Sequence, residues 1–358
     1  MRFAMVGTGW RAGFYARIAA RLPQRFELIG AVARSSPGRS FVASSWGVPA
    51  FSSLSELLSK QRPDAIVIAV PREATPEITI HAVAAGIPVL IETPPAGDLD
   101  GLNVLWSRIG TSELVQVAEH SPFMPAHAAR AAVVAAGHIG VPTQVQISST
   151  HDYHAVAMIR RLLGIRFEEA RITAVELTAP LLDPRDRDGW TTNTDPRPAT
   201  NTVAILDFDT TGKSGIYDFT DNQWHNPLRA NRIIVRGSRG EITDDLVTRQ
   251  IDAATITRTP FVRQQSGIEQ NLDGFDLEHI SYGGTAIYRN PFDGARFSDD
   301  EIAVATLLDR MSAWVNGITE AGPYPLAEGN QDQLLALAIH KAATTKDAVL
   351  VTAATWGD

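Results

Sequence analysis

The segment Gly7-Thr8-Gly9-Trp10-Arg11-Ala12-Gly13 constrains this chain more than any other. It follows an apolar run, Phe3-Ala4-Met5-Val6, and opens a helical pattern that extends through about Leu22. Strand, glycine turn and helix in that order are the setting in which G-x-G-x-x-G/A spacing has physical meaning. Gly7 permits a tight turn, Gly9 leaves the backbone bare for a pyrophosphate, and the small Ala12 lets helix close on strand. The helix start adds amide groups and partial positive charge. A dinucleotide is therefore the expected ligand, held by Gly7, Thr8, Gly9, Trp10, Arg11 and Ala12.

The pattern around this turn predicts the fold class. Through residue 118, apolar strands alternate with helices: strands at Glu27–Ala33, Val48–Phe51, Ala65–Val70, Pro88–Glu92 and Glu113–Ala118, helices at Arg39–Trp46, Leu54–Lys60, Glu77–Ala85 and Leu99–Gly110. Continuous apolar strands between helices imply a parallel sheet covered on both faces and doubly wound. After His120 the strands lengthen and alternate, at Gln144–Ser149, Ile172–Leu177, Asn201–Asp207, Gly215–Phe219, Arg232–Gly237 and Thr255–Arg258. Helices are predicted at Pro125–Ala136, Ala155–Leu163, Asp300–Ile318 and Asn330–Thr345. The reading is α/β, with an N-terminal Rossmann domain over 1–120. A C-terminal α+β domain over 121–358 carries a large open antiparallel sheet.

Composition narrows the function classes. At 358 residues, 44% hydrophobic and 20% charged, the chain suits two globular cores. A net charge of −8 offers no basic field, so no nucleic-acid partner is expected. The absence of cysteine removes disulfides, Cys-ligated zinc and thiol catalysis. The glycine turn comes too early for a signal peptide, and no apolar run approaches the ~20 residues a bilayer requires. The protein is thus expected in the cytoplasm, away from membranes.

The end of the second strand speaks to coenzyme type. An Asp or Glu there would bind ribose hydroxyls. This chain has Arg34, with Ser35 beside it and Arg39 close by. An arginine fork suits a 2′-phosphate, so NADP(H) is expected over NAD(H).

Taken together, the chain resembles the Gfo/Idh/MocA oxidoreductases (glucose–fructose oxidoreductase, inositol dehydrogenase, rhizopine catabolism). The markers are Gly7 to Ala12, Ala65-Ile66-Val67-Ile68-Ala69-Val70-Pro71, Ile91-Glu92-Thr93-Pro94, Phe123-Met124-Pro125, His154 followed by Gly164, and Arg236-Gly237-Ser238-Arg239-Gly240. The resemblance implies NAD(P)-dependent chemistry on sugars or cyclitols and a homodimer or homotetramer built through the open sheet. It adds Val70, Pro71, Glu92, Pro94 and His120 to the expected coenzyme contacts. The family's Glu-Lys-Pro reads Glu92-Thr93-Pro94 here, so its lysine is replaced by Thr93. Its Asp-x-Gly-x-His register puts the histidine at His154 and Thr150 where the aspartate would be.

Alcohol oxidation needs a base for the hydroxyl proton as the carbonyl forms. The resemblance gives that role to His154. Asp152 is its expected orienter, since both side chains would point the same way in extended chain, and Thr93 or Tyr153 would donate to the substrate oxygen. His154 would also begin a helix, which favours the neutral ring. No metal is expected, because His151 and His154 lack a third ligand at informative spacing. One or both of Arg160 and Arg161 read as solvated, Trp224-His225-Asn226 as a surface turn with a buried Trp, and the loop 183–199 as exposed. The leading function is an NADP-dependent dehydrogenase or reductase of a polyhydroxy compound, with a cleft between the domains. The alternatives are a dinucleotide- and ligand-binding sensor without the redox step, and a reduction needing no lysine.

Overall fold

A computed structural model describes residues 1–267 and 274–357. In chain order the first elements are β1 (Arg2–Val6), α1 (Trp10–Arg21), β2 (Glu27–Val32), α2 (Ser36–Phe41), β3 (Ala50–Phe51), α3 (Leu54–Lys60), β4 (Ala65–Ile68), α4 (Thr75–Ala84), β5 (Val89–Ile91), α5 (Leu99–Ile109) and β6 (Val115–Val117). The six strands are parallel in the order β3-β2-β1-β4-β5-β6. Phe3, Ala4, Met5, Ile66, Val67, Ile68, Val89, Leu90 and Ile91 are buried on both faces of this sheet, as continuous apolar runs require. The second helix starts at Ser36 rather than Arg39, because the Ser35 hydroxyl accepts from the Gly38 amide and caps it. Ser53 caps α3 in the same way.

The chain continues with α6 (Pro125–Ala135), β7 (Pro142–Ser148), α7 (Asp152–Leu163), β8 (Ala170–Leu181), β9 (Arg185–Asp186), β10 (Gly189–Trp190), β11 (Arg197–Phe208), β12 (Lys213–Thr220), β13 (Arg232–Gly237), β14 (Gly240–Thr243), β15 (Leu246–Asp252), β16 (Thr255–Ser266), β17 (Asp276–Tyr282), β18 (Thr285–Arg289), α8 (Asp299–Val315), α9 (Leu326–Thr345) and β19 (Val349–Val351). Eleven strands form the second sheet, in the order β18-β17-β16-β15-β14-β13-β7-β12-β11-β8-β19. The expected antiparallel sheet is in fact mixed: β7 and β12 run parallel, with α7 and the four strands β8 to β11 between them in sequence. One face buries Val145, Ile147, Ala204, Leu206, Tyr217, Ile233 and Val235, while Val175, Leu177 and Ile205 stand exposed on the other.

Two compact units emerge, and each is discontinuous in sequence. The first comprises Met1–Pro125, Gln265–Glu278 and Asn290–Gln333; the second comprises Ala126–Gln264, His279–Arg289 and Leu334–Asp358. The chain after Pro125 is therefore not one contiguous domain. Charged contacts make α8 part of the first unit: Arg17 pairs with Glu301 at 3.2 Å and Arg25 with Asp309 at 3.1 Å.

Candidate dinucleotide and acid–base sites

In the first unit, Gly7 adopts φ +114°, open to glycine at little cost, and donates its amide to the Val32 carbonyl at 3.1 Å. A Cβ at Gly7 would lie 2.0 Å from the Ala69 carbonyl oxygen, so β4 approaches the turn closely. Gly9 differs. Its φ of −73° suits any residue, and a Cβ there would meet no atom within 4 Å. Nothing in the fold requires a bare backbone at this position, whereas an approaching pyrophosphate would. As N-cap of α1, Gly9 also supplies no side-chain cap, and the first turn carries no acid. Ordinary capping would fill both roles, so the helix start is left suited to an anion. Ala12 is fully buried against the sheet.

Beside the turn, buried and half-buried charges link four elements of this unit. Arg11 and Tyr15 lie one helical turn apart on α1 and both reach Glu92 after β5. The Tyr15 hydroxyl donates to Glu92 Oε1 at 2.5 Å, and Arg11 Nε lies 4.0 Å from Oε2. Arg11 also pairs with Asp300 of α8 at 3.1 Å, and Asp300 accepts from His120, after β6, at 2.9 Å. Burial, then Glu92, hold the Tyr15 hydroxyl well above its usual range. Glu92 and His120, expected at the coenzyme, thus also act as struts that fix the start of α1.

Val70, Pro71, Glu92, Thr93 and Pro94 line one cleft of about 360 Å³, together with Arg72, Glu73 and Thr75. The Thr93–Pro94 bond is cis. At the end of β2, Arg34 is exposed. Ser35 is occupied as the α2 cap, and Arg39 donates to the Ala33 and Arg34 carbonyls at 3.0 and 2.7 Å. Arg34 is thus the exposed arm of the expected fork, and Arg39, through Nη1, also shapes the turn that presents it.

In the second unit, α7 packs on the buried sheet face. Gly215 of β12 makes this possible, because a Cβ there would fall 2.6 Å from Ile159. Two residues on, and so on the same face, Tyr217 reaches the start of α7. Its hydroxyl donates to Asp152 Oδ1 at 2.9 Å and accepts from the Asp152 amide at 3.2 Å. His340 of α9 places Nε2 2.7 Å from Asp152 Oδ2.

These bonds correct the expected Asp152–His154 pair. The helix begins at Asp152, not Ala155, so side chains two positions apart diverge by about 200° around the axis. Asp152 serves Tyr217 and His340 instead. His154 is 9% exposed in the first turn, its ring edge-to-face with His151 at 5.0 Å and with Tyr153 at 5.5 Å. Of the two arginines near the end of α7, Arg161 is exposed, while Arg160 is 2% exposed and its guanidinium donates to the Arg166 carbonyl just past the helix end. In the turn after β12 the buried residues are Gln223 and Asn226, while Trp224 is 46% exposed.

Sequence reasoning missed Asp300, Tyr217 and His340. Tyr217 had a readable signal, as the one hydroxyl-tipped aromatic on the inward positions of its strand. Asp300 was masked as one of three acids in a capped first turn, Ser298 to Glu301, a pattern that helix starts use everywhere.

Asp152 and Asp300 give an acid-stability prediction. Burial would raise both carboxyls. Hydrogen bonds and charge from His340, His151 and Tyr217, and from His120 and Arg11, overcome it and bring each from 3.8 to about 2. A folded value below the unfolded one stabilises the native state above about pH 4, and that stability is lost as pH falls toward 2. Each carboxylate contributes on the order of 2 kcal/mol. Asp300→Asn is expected to lower stability at pH 7 and to flatten its fall between about pH 5 and 2, read by urea unfolding. An unchanged slope would contradict the assignment.

Comparison with known proteins places this geometry. Residues 1–120 match the oxidoreductase family model GFO_IDH_MocA, NAD-binding Rossmann fold. Among solved structures, a myo-inositol dehydrogenase from Corynebacterium glutamicum is 20% identical, with a TM-score of 0.67 and 99% of each chain covered. A levoglucosan dehydrogenase in complex with NADH and levoglucosan is 17% identical, with a TM-score of 0.69, covering 98% of this chain and 99% of that one. An oxidoreductase from Agrobacterium radiobacter in complex with NAD+, L-tartaric acid and magnesium is 14% identical, with a TM-score of 0.68 and 98% of each chain covered. These likenesses show a shared fold. No curated protein sequence matches.

Proposed function

We propose, from the match of residues 1–120 to the GFO_IDH_MocA oxidoreductase family model, that this chain is an NADP(H)-dependent dehydrogenase or reductase of a polyhydroxy compound, a sugar or cyclitol. The observation that carries the reading is Gly9, a glycine the fold does not need, at the start of a helix without an acidic or side-chain cap. Residues 7 to 12 would hold the pyrophosphate, and the cleft at Val70, Pro71 and Thr93 the coenzyme's reactive end. NADP+, when bound, supplies the hydride acceptor. His154 takes the hydroxyl proton as the C–H hydride leaves and the carbonyl forms; in the reverse direction it returns that proton. Thr93 donates a hydrogen bond to the substrate oxygen without the charge a lysine would bring.

Support for NADP(H) comes from Arg34, exposed where an acid would select NAD. NAD+ and NADH are the coenzymes named for the Agrobacterium and levoglucosan enzymes. The test is a screen of cyclic polyols and sugars with NADP+ and NAD+, followed by reduced-coenzyme absorbance. Turnover with kcat/KM at least about tenfold higher for NADP+ is expected, the worth of one good charged contact to a phosphate. A preference for NAD+ would remove the role given to Arg34. Coenzyme binding without turnover would favour the sensor reading, which the loss of the family lysine at Thr93 motivates.

A further inference from the structure

We propose that Trp224 is the stacking platform for the substrate's ring, making the substrate a cyclic compound with a C–H-rich face, a pyranose or cyclitol, rather than an open-chain polyol. This rests on the proposed role of His154 and adds a specificity residue to it. The turn after β12 is built to hold one aromatic outward. Asn222 adopts φ 57°, and its side-chain amide donates to both Asp183 oxygens, at 2.8 and 2.7 Å. The Asn226 amide donates to the Leu182 carbonyl at 2.9 Å and to Asp183 at 3.2 Å. Gln223 donates to the Ser148 carbonyl at 2.6 Å and accepts from the Thr220 amide at 3.0 Å. Three amide side chains thus face inward and fix the backbone, while Trp224 between them is 46% exposed.

The indole is not a stray surface residue. It stacks on the His151 ring at 5.1 Å and 27°, and His151 in turn meets His154 edge-to-face at 5.0 Å. Phe219 backs the indole at 4.8 Å. The exposed aromatic therefore lies one ring away from the proposed base, on a rigid mount. Two imidazoles border it, His151 and His225, the latter at 6.0 Å and 29°. An apolar plate rimmed by hydrogen-bonding groups matches a saturated ring that presents C–H bonds on one face and hydroxyls around its edge. A flexible chain would have to be ordered before it could cover the same plate, which costs entropy.

Two readouts test the assignment. Saturation-transfer NMR with myo-inositol, D-glucose and D-sorbitol reads contact without needing turnover. Ring C–H protons of myo-inositol or D-glucose are expected to receive saturation in the wild type and in Trp224→Phe, and to lose most of it in Trp224→Ala, with sorbitol weak throughout. In steady-state assays, Trp224→Ala is expected to raise KM for the cyclic substrate roughly tenfold with kcat changed little, and Trp224→Phe to restore it. Saturation undiminished in Trp224→Ala, saturation of sorbitol equal to that of the cyclic probes, or none from any probe overturns the platform. If saturation follows the expected pattern but no variant or wild type turns over, the redox reading fails while the platform stands.

Discussion

Gly7→Ala is expected to destabilise the first unit by at least about 3 kcal/mol and to abolish dinucleotide binding. A Cβ at φ +114° is strained in any surroundings, and here it would also stand 2.0 Å from the Ala69 carbonyl oxygen. Neither β1 nor β4 can yield, because both lie in the middle of the sheet with Phe3, Ala4, Ile66 and Val67 fully buried. The melting temperature should fall by roughly 10 °C. Gly9→Ala separates fold from ligand. Its backbone is ordinary and its Cβ position open, so melting should move by no more than about 2 °C. A methyl group would nevertheless stand where the pyrophosphate comes closest, and coenzyme affinity should fall at least about tenfold. Equal loss of melting temperature in both variants would mean that the second glycine serves the fold.

His154→Ala should lower kcat by about 10²- to 10⁴-fold, the usual worth of a positioned acid–base group. His154→Gln keeps size and hydrogen bonding but cannot carry the proton, so it should lose as much. Coenzyme affinity should stay within about twofold in both, because the proposed phosphate cradle is made by residues 7 to 12 and does not include His154. Turnover lost in the alanine variant but kept in the glutamine variant would reduce the histidine to a hydrogen-bonding role. Asp152→Asn should act differently: with its carboxylate bound to Tyr217 and His340, it should cost stability more than it alters chemistry.

Much of the first unit was legible because its information is local. Each parallel strand is a short, wholly apolar run beside a helix, and the glycine turn announces its own conformation. The second sheet was read only in part. β14, β15, β17, β18 and β19 were not foreseen, because their faces are unevenly buried and their partners lie far along the chain. Thr255–Ser266 has no buried residue and is held by pairing rather than pattern. The start of α7 was misplaced for a definite reason. His151 does not cap the helix through its side chain, and the signal lay instead in Asp152, an acid in the first turn. That shift of three residues turned Asp152 away from His154. Its partners Tyr217 and His340 are 65 and 188 residues distant, separations over which no spacing rule operates. Arg39 shows the converse, a charged residue placed near the coenzyme end of β2 whose Nη1 donates to the backbone it folds over.

The central claim is that the bend between β1 and α1 receives a dinucleotide pyrophosphate. Calorimetric titration of the wild-type protein with NADPH and with NADH measures it directly. The account predicts saturable one-to-one binding in the micromolar range, tighter for NADPH. Failure of either reduced coenzyme to associate at millimolar concentration would contradict it.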